Sequence, residues 1–226
     1  MGKMDRKSYK WWYDHIESRF YDLMIKWLAL PFGGEARLRR ELLEPVSFEP
    51  GERILEMCCG TGGATTFISE KAGTGCEIVG IDLSSGQLQR ARRKKYSCPV
   101  EFVEGDVTNA TFDSDSFDKV FITHAIHEMY CEDRLKTLKE ARRVLKHKGQ
   151  VIVLEIDNPP NVWARLLFGF LAFYWLPGNF ETPTRRDMFK RGLDNEVKES
   201  GFVDVKKYSI RHGVLQTVTG MKGQSQ

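Results

Sequence analysis

Arg53-Ile-Leu-Glu-Met-Cys-Cys-Gly-Thr-Gly-Gly63 decides the fold. An apolar run with an acid four places before Gly-x-Gly describes a buried strand turning sharply into a helix. Gly60 and Gly62 permit positive φ and close backbone approach. A helix opening near Ala64 would aim its N-terminal amides at whatever lies above the strand. A lone Gly-x-Gly is a common tight turn, and what distinguishes this one is the series of apolar runs behind it. Glu77-Ile-Val-Gly-Ile-Asp82 ends in a carboxylate twenty residues after Gly62, the spacing at which a doubly wound sheet presents an acid to ribose hydroxyls. Val100-Glu-Phe-Val-Glu-Gly-Asp-Val107 repeats the pattern with Asp106, and Phe117-Asp-Lys-Val-Phe-Ile-Thr123 ends beside His124 and His127.

Ligands of open α/β sheets bind beyond the carboxyl ends of the strands. A glycine turn and three acids at successive strand ends therefore predict one site for an adenosine-bearing cofactor. Asp82 is expected on the ribose, and Asp106 with its neighbouring backbone at the adenine edge. A nicotinamide dinucleotide fits less well on two counts. The third small residue of its fingerprint is replaced by Thr65, and Glu56 on the first strand would repel a pyrophosphate while suiting the ammonium of a methionine moiety. S-adenosylmethionine is the cofactor these residues predict.

The runs Ile54-Leu-Glu-Met-Cys-Cys-Gly-Thr-Gly62, Val79-Gly-Ile-Asp-Leu-Ser84, Phe102-Val-Glu-Gly-Asp-Val107, Phe117-Asp-Lys-Val-Phe121 and Ala141-Arg-Arg-Val-Leu-Lys-His-Lys-Gly149 resemble the class I S-adenosylmethionine-dependent methyltransferases. Within that family the chain is most similar to the ubiquinone/menaquinone-biosynthesis branch, through Tyr21-Asp22, Cys59-Gly-Thr-Gly62 and Arg143-Val-Leu-Lys146. The resemblance implies an α/β fold: a Rossmann-like, seven-stranded, mostly parallel sheet with a C-terminal antiparallel hairpin and an N-terminal helical cap. Together with the residue pattern it gives Tyr21, Glu56, Gly60, Thr61, Gly62, Asp82, Leu83, Asp106, Val107 and Thr123 as the expected cofactor contacts. Tyr21 rests on the resemblance alone. Where the quinone enzymes share Gly-Leu-Arg-Asn after the fourth strand, this chain has Thr123-His-Ala-Ile-His-Glu-Met129, so its acceptor-facing loop is its own.

The 226 residues suit one α/β domain, read as a cap over residues 1–48 and a methyltransferase core over 49–226, with a lid insertion at about 158–192. With 34 basic against 31 acidic side chains, a net charge of +3 does not predict nucleic acid as a partner. Arg90, Arg92, Arg93, Lys94 and Lys95 fall at the end of the helix after the second strand, where cations suit the helix dipole. A charged N-terminus without an apolar signal core predicts a cytoplasmic protein. Five cysteines, an odd number, predict reduced thiols, and none shows metal-ligand spacing. Cys58 and Cys59 read as small apolar side chains of a strand end. The alternative is capture of a soft atom, which requires Cys59 and Cys131 to converge.

Residues 9–28 read as aromatic-rich helices and 35–44 as a further helix. Four strand–helix units follow over 53–146, then a fifth strand at 150–155. Two last strands, 201–210 and 213–221, flank a turn at Arg211-His212. Residues 161–177 hold Phe168, Phe170, Phe173, Tyr174 and Trp175 and carry no charge from Leu166 to Pro177. That is shorter than the roughly 20 apolar residues a membrane span needs, so the segment is expected to be a lid over an apolar acceptor, with peripheral membrane contact or a homodimer interface as the other readings. Transfer of a sulfonium methyl is an in-line displacement, and a phenol or activated ring carbon must also lose a proton. His127, or His124, is the expected base. The expected function is methyl transfer to a small lipophilic acceptor, quinone-precursor-like or lipid-like. A soft thiol or metalloid acceptor, a non-catalytic S-adenosylmethionine-binding subunit and an NAD-linked oxidoreductase are the competing readings.

Overall fold

Seven strands form one sheet in a computed structural model that describes residues 26, 27, 29, 30, 33–158 and 181–223, with backbone only at 181 and 182. They are β1 (Arg53–Met57), β2 (Glu77–Asp82), β3 (Val100–Glu104), β4 (Phe117–Thr123), β5 (Leu145–Ile156), β6 (Phe202–Ile210) and β7 (Leu215–Lys222). Their spatial order is β3-β2-β1-β4-β5-β7-β6. The pairs β1–β2, β1–β4, β2–β3 and β4–β5 are parallel, whereas β7 runs antiparallel between β5 and β6. The described helices are α1 (Glu35–Leu43), α2 (Gly63–Ala72), α3 (Ser85–Ala91), α4 (Cys131–Val144), α5 (Glu181–Arg191) and α6 (Leu193–Glu199).

The central strands are apolar on both faces because both faces are covered. Ile54, Ile78, Phe121 and Ile152 pack with Leu42 and Leu43 of α1 and Ile68 of α2. Leu55, Val79, Val120 and Val151 point the other way, onto Leu138 of α4, Met188 of α5 and Val197 of α6. The chain winds outwards from β1 to β3, then returns to pair β4 on the other side of β1. The strand order thus reverses between β1 and β4, which opens a crevice at their carboxyl ends.

The hairpin closes as the sequence predicts, with Arg211 and His212 both at positive φ in its turn. It is tied back to α1, since Arg211 binds Glu41 at 2.6 Å and the Thr217 hydroxyl donates to the Leu42 carbonyl at 2.6 Å. One expectation fails. Between β3 and β4 the third unit has no helix but a 3-10 turn, Val107–Asn109. Asp106, Thr108, Asn109 and the Asp/Ser run that follows offer local hydrogen bonds that compete with a helix, and Asp106 does cap this turn at the Thr108 N–H. β5 also begins five residues before its expected start, at Leu145, with a register shift opposite Phe117 and Lys119. The aromatic helices expected over 9–28, with Tyr21, and the lid expected over 161–177 lie outside the described residues, apart from Lys26 and Trp27. No helix among the described residues is long and apolar enough to cross a membrane.

Candidate active site

β1 ends at Met57, and the chain turns into α2 through three residues at positive φ: Cys58 (57°), Gly60 (55°) and Gly62 (73°). Cys58 and Cys59 therefore sit in the turn just beyond the strand end. A Cβ on Gly60 would lie 2.6 Å from the Gln87 side-chain oxygen, and one on Gly62 would collide with the Tyr96 hydroxyl. Only glycine fits at both places.

Asp82 clamps this turn to the end of β2. Its Oδ2 accepts the Gly60 N–H at 2.8 Å and its Oδ1 the Ser84 N–H at 2.9 Å. Thr61 is buried, and its hydroxyl oxygen accepts from Lys94 Nζ at 3.4 Å. Leu83 follows, half-buried. Asp106 Oδ1 accepts from the Thr108 N–H and hydroxyl at 2.9 and 2.7 Å. The Val107 side chain is spent in the apolar core, so only its backbone can face a ligand.

Glu56 is wholly buried under the turn, between Thr65 at the start of α2 and Thr123 at the end of β4. Their hydroxyls donate to its Oε2 at 2.5 Å and its Oε1 at 3.0 Å. Burial pushes its pKa up to about 7, against the lowering effect of the two hydroxyls and of Arg39, and Asp82 adds to the rise. Thr65, which argued against a dinucleotide, thus has a positive role as a partner of Glu56.

Burial also drives the Cys58 thiol well above its usual range, and the charges of Asp82, Glu128, Asp106 and Glu56 act in the same direction. Four strand-end or loop carboxylates therefore bear on one point. That negative field suits a ligand carrying a sulfonium and an ammonium, and it opposes a thiolate. Cys59 packs with Leu88, Ala91 and Phe102. Cys131 instead lies beside Asp187 and Glu196, so Cys59 and Cys131 do not converge. The carboxylates around Cys131 are already bonded by guanidinium groups, Arg134 to Asp187 and Glu196 at 2.6 Å each and Arg191 to Glu196 at 3.0 Å.

A second buried acid lies on the other face of the sheet, at the end of β5. Glu155 Oε1 is 2.8 Å from His127 Nδ1 and 3.8 Å from His124 Nδ1, and it accepts the Ile156 N–H at 2.7 Å. Its Oε2 accepts the His127 N–H at 3.4 Å. Burial would raise its pKa, yet the charge of His127 and the hydrogen bonds from both histidines hold it well below the usual carboxylate range. His124, at φ 48°, leaves β4, and His127 sits in the 3-10 turn Ile126–Glu128. That turn is anchored from α4, where Arg134 Nη1 donates to the Met129 carbonyl at 2.8 Å while its other nitrogens hold Glu196 and Asp187.

Residues 54–149 match the methyltransferase-domain family model. The chain is 31% identical over 199 residues to an uncharacterized methyltransferase of Synechocystis sp., covering 88% of this chain and 89% of that one. It is 34% identical over 207 residues to the demethylmenaquinone methyltransferase of Staphylococcus epidermidis, covering 83% of each. The chain belongs to the class I S-adenosylmethionine-dependent methyltransferases. This methyltransferase shares its fold with a solved S-adenosylmethionine-dependent methyltransferase of Thermotoga maritima, at a TM-score of 0.64 and 20% identity over 93% of this chain and 99% of that one. Its cofactor is S-adenosylmethionine.

Of the expected contacts, Glu56, Gly60, Asp82 and Thr123 are joined by direct hydrogen bonds or a shared electrostatic neighbourhood, and Asp106 shares that neighbourhood through Cys58. His124 and His127 converge on Glu155. The sequence reading of the methyltransferase missed Glu155, although it is an acid near the end of an apolar strand, the signal that found Glu56, Asp82 and Asp106. It also missed Arg134, whose acidic partners stand 53 and 62 residues further along the chain.

Proposed function

We propose that this enzyme methylates a small lipophilic acceptor of the quinone-precursor kind, with His127 as the base that removes its proton. The observation behind this is the His127–Glu155 pair, buried just past the end of β4 at the carboxyl edge of the sheet. The demethylmenaquinone methyltransferases among its relatives support the acceptor class. In this reading the ribose hydroxyls bond Asp82. A carboxylate has about four acceptor sites, so its bonds to Gly60 and Ser84 are compatible with that role. Asp106 and the Val107 backbone take the adenine edge, and Leu83 packs against the nucleoside. The turn of Gly60, Thr61 and Gly62 lies under the methionine moiety, whose ammonium is balanced by Glu56 with Thr123 beside it. Tyr21, which lies outside the described residues, is a further proposed cofactor contact on the resemblance alone.

The test uses a 1,4-naphthohydroquinone bearing one prenyl group, S-adenosylmethionine, and mass detection of the methylated ring. His127→Ala should lower turnover by about 10²–10⁴ with cofactor affinity retained. Wild-type turnover in that variant would remove His127 as base. Equal methylation of phosphoethanolamine, a small polar acceptor, would overturn the lipophilic reading.

A further inference from the structure

The second buried carboxylate does something that a mere cofactor pocket does not require. Glu155 is wholly buried, yet it is held ionised by donors that belong to one turn: the Nδ1–H and the backbone N–H of His127, with the Ile156 N–H behind and His124 farther off. With Nδ1 committed to Glu155, any proton His127 exchanges with an acceptor passes through Nε2. The tautomer is fixed by the carboxylate.

We infer that Glu155 is the positioning residue of the reaction: it presents Nε2 of His127 to the acceptor and stabilises the imidazolium that forms there, which selects acceptors carrying an acidic O–H. This rests on the reading of His127 as base. As the methyl transfers, the acceptor O–H bond breaks and its proton joins Nε2. The electron pair left on the acceptor, at oxygen or relayed to a ring carbon, forms the new bond to methyl. The C–S bond breaks with its pair retained by sulfur, giving neutral S-adenosylhomocysteine. For ring methylation, the ring proton is lost to solvent as aromaticity returns and His127 gives its proton back to the oxygen, so one proton is released in all. For methylation at oxygen, His127 sheds its proton to solvent. A neutral amine already exposes its lone pair and needs no such device.

Other charges near the turn do not replace Glu155. Glu128 lies on the turn itself, α4 contributes Arg134, α5 contributes Arg185, Arg186 and Asp187, and Asp157 follows β5. Arg134 and Asp187 pair with each other, and Asp157 pairs with Lys207. His124, at 3.8 Å from the same oxygen, shares the carboxylate and is the more exposed of the two, 23% against 11% for its side chain.

The test is a proton NMR titration of the histidine Hε1 signals in the full chain, with His127 assigned from its loss in His127→Gln. An adjacent buried anion favours the imidazolium. The wild-type midpoint of His127 should therefore lie above those of the exposed His147 and His212 in the same sample, and should fall by about one unit or more in Glu155→Gln. Equal midpoints in wild type and variant, or a wild-type midpoint below both exposed histidines, would overturn the inference. If the variant does not fold, the wild-type comparison decides. With the prenylated naphthohydroquinone, the acidic limb of the kcat profile should move to lower pH in Glu155→Gln. A limb that stays in place while kcat falls would leave His127 as base and reduce Glu155 to a structural role. Undiminished turnover in His127→Ala would instead remove the base itself.

Discussion

Asp82 holds the Gly60 amide with the same carboxylate that the proposed ribose contact requires, so its loss should be felt in both the turn and the cofactor. A hydrogen bond to a charged group contributes about 1.5–3 kcal/mol, and Asp82→Ala should therefore weaken S-adenosylmethionine binding roughly 10- to 100-fold, as titration calorimetry would read. Unchanged affinity would remove the ribose assignment. Glu56 behaves differently because burial pushes its pKa up to about 7. An ammonium placed beside it favours the carboxylate, so cofactor binding at pH 7 should release a fraction of a proton. Calorimetry in buffers of different ionisation enthalpy measures that fraction, and Glu56→Gln should abolish it. If the apparent enthalpy is the same in every buffer, Glu56 does not meet the ammonium.

At the scale of elements, the turn that carries His127 is only as well placed as the helix beneath it. Arg134, buried in the first turn of α4, bonds the Met129 carbonyl after the turn and reaches Asp187 on α5 and Glu196 on α6. Glu196→Gln leaves a buried guanidinium short of a charge, which costs about 3–5 kcal/mol when one partner of a buried pair is removed. Denaturant unfolding should show that loss, whereas the paired change Arg134→Leu with Glu196→Leu should cost less than the single one. An equal or greater loss in the double variant would show that the ion pair is not the source. The strands were legible in the sequence because Ile54, Ile78 and Phe121 belong to apolar runs, and the site because acids at strand ends stand out from those runs. The connection after β3 was not, since the succession of strand–helix units suggested a helix where Asp106 and Thr108 bond each other locally. Glu155 carried the same strand-end signal, but its role was not legible, because its partner stands on a turn 28 residues earlier.

For the whole molecule, the two buried acids pull stability in opposite directions with pH. Glu155 has a lowered folded pKa, so its contribution is present above its unfolded value of about 4.3 and is lost as pH falls below that. Glu56 has a raised one, so its contribution is complete below about 4.5 and fades as pH rises through 7, by about 3 kcal/mol in all. The cofactor-free protein should therefore melt highest near pH 5. Scanning calorimetry should find that Glu56→Gln flattens the decline between pH 5 and 7, and a decline that persists would assign it to other groups. The placement of β7 between β5 and β6 has a further consequence, for synthesis. β7 begins roughly sixty residues after β5 ends, several seconds of translation at about 5–20 residues per second. Through that interval β5 has a bare edge on the nascent chain, and α1 waits for the Thr217 hydroxyl that meets its last turn. Until that late hairpin is made, the sheet on the nascent chain is unfinished along its β5 edge.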